Sequence, residues 1–249
     1  MLGLPKEDGP KFRDFIHRII EKPGEYAGTL GVEETLLYYL TNVIIERRNG
    51  PPTDDLIGFL LQAEMDGEPL SNEHIFGTIA LLIIAGIDTT WSAIGASLWH
   101  LAQHPEDRQR LVDDPDVLVF AIEEFLRFYA PVTMARIAAV DTEIGGCPVA
   151  ARDWVLLPFP AANRDPEAFE DADEFVIDRQ RNRHLAFGLG IHRCLGSNLA
   201  RLELTVAVDE WMKRIPDFEL ADPATVRWST GQVRGPRELP VRILKTVEA

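Results

Sequence analysis

The sequence predicts a mainly α protein with small β-sheets, an α+β class. Three observations predict it. Apolar residues recur three and four apart through the first 130 residues, and one apolar helical pattern runs on for about nine turns. Short apolar runs beside glycine turns are found only after Pro131.

The elements follow in order. Residues 11–21 and 33–48 read as helices, bounded by Pro10, Pro23-Gly24 and Gly50-Pro51-Pro52. Residues 54–64 form a shorter helix and 65–71 a loop. Ser71 caps a long helix with Glu73 in its first turn. That helix runs to about His104, where Pro105 bars continuation, and spans roughly 50 Å. Residues 106–111 and 117–129 are the next helices. Small hairpins occupy 131–160, an irregular charged stretch 163–184, a last long helix 196–214, and alternating strands the tail.

Composition narrows the function. The chain has 249 residues, 46% of them hydrophobic, enough for a substantial core. A formal charge of −15 excludes nucleic acid and anionic membrane as partners of the whole surface. Two cysteines in unrelated contexts fit a reducing, cytoplasmic setting, and no secretory pattern opens the chain. The longest apolar run, residues 75–87, falls short of the roughly 20 residues of a membrane span and is followed by Asp88, which predicts a buried helix.

The most informative segment is FGLGIHRCLG, Phe187 to Gly196. A cysteine acts as ligand or nucleophile only as thiolate, so the question is what stabilises negative charge at Cys194. The helix predicted from Gly196 offers its free N–H groups and its dipole. Gly188 and Gly190 allow left-handed turns and close approach to a flat ligand. Phe187 can shield the sulfur, and His192 and Arg193 bring donors beside it. These residue types at these offsets arise by chance on the order of once in a million chains. Zinc is excluded, since no second cysteine or paired histidine stands at ligand spacing around Cys194. Cys147, after Gly145-Gly146, reads as structural.

This loop resembles the haem-binding loop of the cytochrome P-450 superfamily, F-x-x-G-x-[HR]-x-C-x-G. The resemblance implies the C-terminal portion of a soluble, bacterial-type P-450 fold lacking its N-terminal elements, as one domain over residues 1–249. It implies haem b with Cys194 as the metal ligand, whose thiolate pushes electron density that favours O–O cleavage. Phe187, Gly188, His192 and Gly196 belong to the same cofactor-binding loop, with His192 on a haem propionate.

Other segments extend the likeness. AGIDTT, Ala85 to Thr90, is similar to the oxygen-activation segment. Ala85 and Gly86 leave space beside a flat cofactor, Thr89 can back-bond to the Ala85 carbonyl and bend the helix, and Asp88 with Thr89 forms an acid–alcohol proton relay. Glu124 and Arg127, three apart on one helical face, match a buried brace behind the haem, with Arg164 or Arg179 as a third partner. Arg136 resembles a propionate-binding strand arginine. Leu81, Ile84, Val132, Met134 and Val233 correspond to substrate-lining positions. VAARDWV departs from the family turn I-P-A-G-x-x-V, with Ala150 and Arg152 replacing proline and glycine, which leaves the shape of that turn open.

The implied function is monooxygenation of an apolar small molecule by O2, with electrons from a ferredoxin or flavodoxin. From Arg179 to Leu202 the chain has no acidic residue. Arg179, Arg181, Arg183, Arg193 and Arg201 therefore predict a basic docking face for that partner, a merely solvated patch being the alternative. Two competing readings are a truncated, catalytically inactive haem-binding remnant and peroxide-driven oxygenation.

Overall fold

The structure is a computed structural model, and it describes residues 1–21, 31–229 and 231–247. The Pro23-Gly24 breaker lies outside these. The chain divides into two compact units, Met1–Asp88 and Thr89–Ala249.

In the first unit α1 (Gly9–Ile16) carries Pro10 in its first turn and runs into a π turn, His17–Glu21. Next come α2 (Leu36–Asn49) and α3 (Leu56–Gln62). Each begins where a short oxygen-bearing side chain satisfies a backbone amide. Thr35 Oγ1 accepts from Tyr38 N at 3.1 Å, and Asp55 Oδ1 from Gly58 N at 2.9 Å. Leu36, Leu40 and Ile44, four apart on α2, are buried together with Phe15, Ile16 and Ile57.

Residues 65–71 are not a plain loop. Strands β1 (Glu64–Met65) and β2 (Glu68–Pro69) form a two-stranded hairpin. Asp66 and Gly67 both take positive φ, which suits the two-residue turn of a hairpin. The strands are too short for apolar alternation to announce them.

Helix α4 (Asn72–Gln103) starts where Ser71 Oγ accepts from His74 N at 3.2 Å. It is the one described helix long and apolar enough to cross a membrane by length and composition alone. The helix is not buried throughout, contrary to the expectation for residues 75–87. A third of its apolar stretch is buried, Leu81, Ala85 and Gly86 being exposed, while Asp88, Ser92, Ser97 and His100 are buried polar groups along it. Ser92 Oγ accepts from Arg237 Nη1 at 2.9 Å, and Ser97 donates to the Ala93 carbonyl at 2.9 Å. The helix stays α-helical through AGIDTT, so the bend expected at Thr89 leaves no break in it.

The second unit continues with α5 (Pro105–Asp113) and α6 (Leu118–Phe128). Strands β3 (Thr133–Ile137) and β6 (Trp154–Pro158) pair antiparallel around the smaller hairpin β4 (Thr142–Ile144) and β5 (Cys147–Val149). A short α7 (Phe159–Ala162) leads into the irregular stretch, and α8 (Ser197–Arg214) follows the cysteine loop. The tail supplies β7 (Asp217–Leu220), β8 (Arg227–Trp228), β9 (Pro236–Glu238) and β10 (Val241–Lys245), paired β7 with β10 and β8 with β9. Its core joins Leu101 and Leu111 to Ile122 and Phe125 of α6 and to Leu204 and Val208 of α8. Because α6 and α8 share this core, what α6 carries on its other faces lies beside the loop that precedes α8.

Candidate functional site

The loop before α8 is built from the backbone outward. Gly188 and Gly190 sit at φ +64° and +70°, where a side chain would be strained. A 3₁₀ turn, Gly190–His192, follows, and Cys194 N donates to the Phe187 carbonyl at 2.8 Å, closing the loop on itself. Gly196 caps α8 without a side-chain hydrogen bond, which leaves the first-turn amides free of a capping oxygen. Cys194 is an exposed free thiol. Leu189, Ile191 and Leu195 around it are exposed to 70%, 97% and 89%. Three large aliphatic side chains in the open on the loop that carries the thiol are apolar surface that water does not favour. Phe187 does not shield the sulfur from water as expected. It is half-buried, with its ring 4.6 Å from the Arg201 guanidinium.

A buried ionic network joins α6 to the irregular stretch that leads into the loop. Arg127 is bidentate on Glu124, Nε to Oε2 at 2.8 Å and Nη2 to Oε1 at 2.7 Å, with both side chains wholly inaccessible. Arg127 also donates to the carbonyls of Asn163, Ala172 and Glu174, at 2.9, 2.7 and 2.6 Å. The third basic partner is Arg179, whose Nε donates to both Glu124 oxygens, at 3.2 and 3.1 Å. Arg164 instead stacks on Phe128 at 3.8 Å. Val176 N and Asn182 Nδ2 complete the shell of Glu124. Burial raises the Glu124 pKa, but the Arg127 hydrogen bonds and the other donors outweigh it, and the net shift is downward. The irregular stretch is thus fixed to α6 by carbonyls and donors that no local sequence pattern reveals.

A second ionic cluster went unforeseen. Glu123 accepts from Arg201 Nε at 2.6 Å and Nη2 at 3.0 Å, and lies 3.0 Å from His184 Nε2. It ties α6 to α8 directly beside the cysteine loop. The guanidinium of Arg201 is held protonated chiefly by Glu123, with a smaller contribution from the Cys194 sulfur. Asn163, fully buried, donates to the Arg127 carbonyl at 3.1 Å and accepts from Leu185 N at 2.6 Å. The signal for it was a polar residue heading an irregular stretch.

These partners correct the basic face. Arg179 is 9% exposed and bound to Glu124, and Arg201 is neutralised by Glu123. Arg181, Arg183 and Arg193 remain exposed. Cys147 is also exposed, on β5 opposite Ile144, so it serves no core.

The remaining positions fall as follows. Arg136 is half-buried on β3 opposite Val155, its Nη1 donating to the Ala135 carbonyl. His192 is exposed in the loop. Val132 bridges to the buried Val233, and Met134 Sδ accepts from Gln232 Nε2 at 3.6 Å. On α4, Leu81, Ala85 and Gly86 are exposed and Ile84 is half-buried, while Asp88 is fully buried and Thr89 half-buried. A Cβ added at Gly86 would meet nothing within 4 Å. Arg152 holds φ +77° where the family turn has glycine, so the turn keeps a left-handed shape despite the substitution.

The second unit thus carries an exposed free thiol on a glycine-shaped loop and, on α6, a buried Glu–Arg pair that holds the stretch leading into that loop. The family model "Cytochrome P450" matches residues 30–119 and 116–222, and the chain belongs to that family. It is 36% identical over 250 residues to the polyketide biosynthesis cytochrome P450 PksS of Bacillus subtilis, covering 98% of this chain and 62% of that protein. To the mycinamicin IV hydroxylase/epoxidase of Micromonospora griseorubida it is 35% identical over 246 residues, covering 97% of this chain and 62% of that protein. Among solved structures, PksS superposes with a TM-score of 0.87 at 35% identity, over 98% of this chain and 64% of the other. CYP109E1 from Bacillus megaterium, in complex with testosterone, gives 0.86 at 35%, over 98% and 68%. The chain therefore spans somewhat less than two thirds of the length of the curated relatives it matches.

Proposed function

We propose that this chain carries the haem-thiolate and proton-delivery machinery of a cytoplasmic monooxygenase, with Cys194 as the axial ligand of haem b. The observation that supports it best is the exposed Cys194 thiol amid exposed Leu189, Ile191 and Leu195. Apolar side chains so placed fit the faces and edges of a porphyrin. Haem, when bound, supplies the activation of O2 and the insertion of one oxygen atom into an apolar substrate.

The chain's own residues do the rest. The first-turn amides of α8 and the dipole behind them favour negative charge on Cys194. Gly188, Gly190 and Gly196 keep the backbone low enough for a flat group to approach. Arg136 and His192 are the donors for the propionates. Gly86, with open space in place of a side chain, and Ala85 receive the ligand's flat face. Thr89 positions water through its hydroxyl, and the buried Asp88 supplies protons to it. Glu124, Arg127 and Arg179 keep the irregular stretch in place. Leu81, Ile84, Val132, Met134 and Val233 line the substrate region with apolar surface. The names of the relatives, a polyketide enzyme, a mycinamicin oxygenase and a testosterone-bound P450, support a bulky apolar small molecule. Electrons arrive from a ferredoxin or flavodoxin at the exposed Arg181, Arg183 and Arg193.

The alternative reading is a haem-binding protein without turnover. Ferrous–CO spectroscopy after haem reconstitution tests the first. A strongly red-shifted Soret band, abolished in Cys194→Ala, is the expected result. A band at the position of a histidine-ligated haem, or none, overturns the thiolate assignment. Product formation from O2 with a supplied electron donor then separates the two readings.

A further inference from the structure

We propose that His100, His104 and Asp107 form a binding site for a divalent transition-metal ion of the zinc class at the junction of α4 and α5. None of these residues belongs to the cysteine loop, the Glu124 network or the proton relay. His100 stands in the last turn of α4 and His104 directly after its end, four positions on and still bonded to it through His104 N to the His100 carbonyl at 3.0 Å, the spacing by which a helical turn offers two imidazoles to one ion. Pro105 starts α5 at once, and its first turn brings Asp107 back toward the pair. One donor atom from each residue lies within 4.8 Å of the other two.

The geometry is close to what an ion requires. A tetrahedral zinc about 2.1 Å from each donor needs donors about 3.4 Å apart. His100 is the fixed member. It is 1% exposed, with Nδ1 2.7 Å from the Tyr129 hydroxyl and Nε2 2.7 Å from Asp107 Oδ2. A carboxylate only accepts, so Nε2 carries the ring proton and Nδ1 accepts from Tyr129. An ion takes the place of that Nε2 proton between the imidazole and the carboxylate. The ring proton then resides on Nδ1 and is donated to the Tyr129 oxygen, the outer hydrogen bond that orients metal-bound histidines. His104 is the adjustable member. Its ring stacks on His100 at 4.1 Å and its side chain is 44% exposed, free to turn its donor onto the ion. Glu106 Oε1, 3.2 Å from His104 Nδ1, adds a second carboxylate at the rim, and water completes the coordination.

Two imidazoles and a carboxylate suit zinc, cobalt or nickel, not magnesium or calcium, which prefer oxygen ligands. With one ligand exposed, the site is exchangeable and open at the surface. A bound ion joins the end of α4, the start of α5 and, through Tyr129, the residue that ends α6.

The test is calorimetric titration of Zn2+ into the full chain carrying Cys147→Ser, which removes one exposed competing thiol. Cys194 is present in every variant and contributes equally to each. The parent is expected to bind one zinc that is weakened about tenfold or more in both His104→Ala and Asp107→Asn. Zinc should also raise the melting temperature of the parent, and markedly less that of His104→Ala, whose exposed side chain leaves the fold intact. No zinc binding by the parent, or equal affinity in the parent and either variant, overturns the site.

Discussion

Arg179 Nε donates to both oxygens of Glu124, at 3.2 and 3.1 Å, so a single buried carboxylate is held by two guanidiniums, the other being Arg127. With Arg127, Glu124 closes a network that reaches from α6 to six residues of the irregular stretch: Asn163, Ala172, Glu174, Val176, Arg179 and Asn182. Glu124→Gln removes the negative charge and strands two cations in a dry interior. The expected loss is about 3–5 kcal/mol of stability, measured by urea unfolding. Arg179→Lys should cost less, because Val176 N, Asn182 and Arg127 still hold the carboxylate.

Glu123 predicts an acid limb for stability. Burial alone would raise its pKa, but the hydrogen bonds of His184 and Arg201 carry it down to about 2 from the ordinary 4.5. A carboxyl depressed in the folded state binds its proton more readily when unfolded. Its contribution is therefore complete above about pH 5 and is lost as the pH falls toward 2. Unfolding midpoints measured from pH 6 to pH 3 should fall more steeply in the parent than in Glu123→Gln. Parallel curves would refute the assignment.

Most of the helices and the cysteine loop were legible because each has a local cause. Pro105 stops α4, Ser71 caps it, and the glycines around Cys194 have no other use. The Glu124–Arg127 pair was visible only as a spacing, and spacing could not choose between Arg164 and Arg179. That choice is made by the path of an irregular segment, which delivers Arg179 and Asn182 to Glu124 across more than fifty residues. The same limit hid Glu123 and Arg201, 78 positions apart. It also made the arginines from 179 to 201 look like one surface, when two of them are spent inside ion pairs. The hairpin at Asp66-Gly67 was missed for a different reason, since two-residue strands carry no periodicity.

Arg152 gives a prediction of opposite sign. It holds φ +77° in the turn between β5 and β6, fixed by Arg152 N to the Ala138 carbonyl at 2.8 Å and Asp153 N to the Ala150 carbonyl at 3.1 Å. A left-handed non-glycine residue costs roughly 1–2 kcal/mol. Arg152→Gly relieves this and adds back part as chain entropy in the unfolded state. The net expectation is a gain of about 0.5–1 kcal/mol, read as a higher urea midpoint at unchanged slope.

The exposed arginines predict an effect on rate. Arg181, Arg183 and Arg193 keep their charge at the surface, in a protein of net charge −15. Reversal of all three to glutamate should slow reduction by an acidic ferredoxin at low salt and flatten its salt dependence, since complementary charge acts on encounter. Reduction by dithionite should be unaffected. Equal ferredoxin rates in both proteins would move the docking face elsewhere.

Thr89 carries the last prediction, conditional on haem binding by Cys194. Its side chain is half-buried on α4 and follows directly on Asp88, which is wholly buried. A buried carboxyl cannot exchange protons freely with solvent, so delivery depends on a hydroxyl or water next to it. Removing the hydroxyl should leave electron uptake intact while protons arrive in the wrong order. In Thr89→Ala, product per electron consumed is expected to fall by on the order of tenfold or more, with hydrogen peroxide or water taking up the difference. Thr89→Ser, which restores a hydroxyl at the same atom, should recover most of the coupling. Ferrous–CO spectra of both variants should match the parent, because the residue is assigned no part in holding the iron. Full coupling in Thr89→Ala would refute the role of Thr89 and require a relay built from other groups.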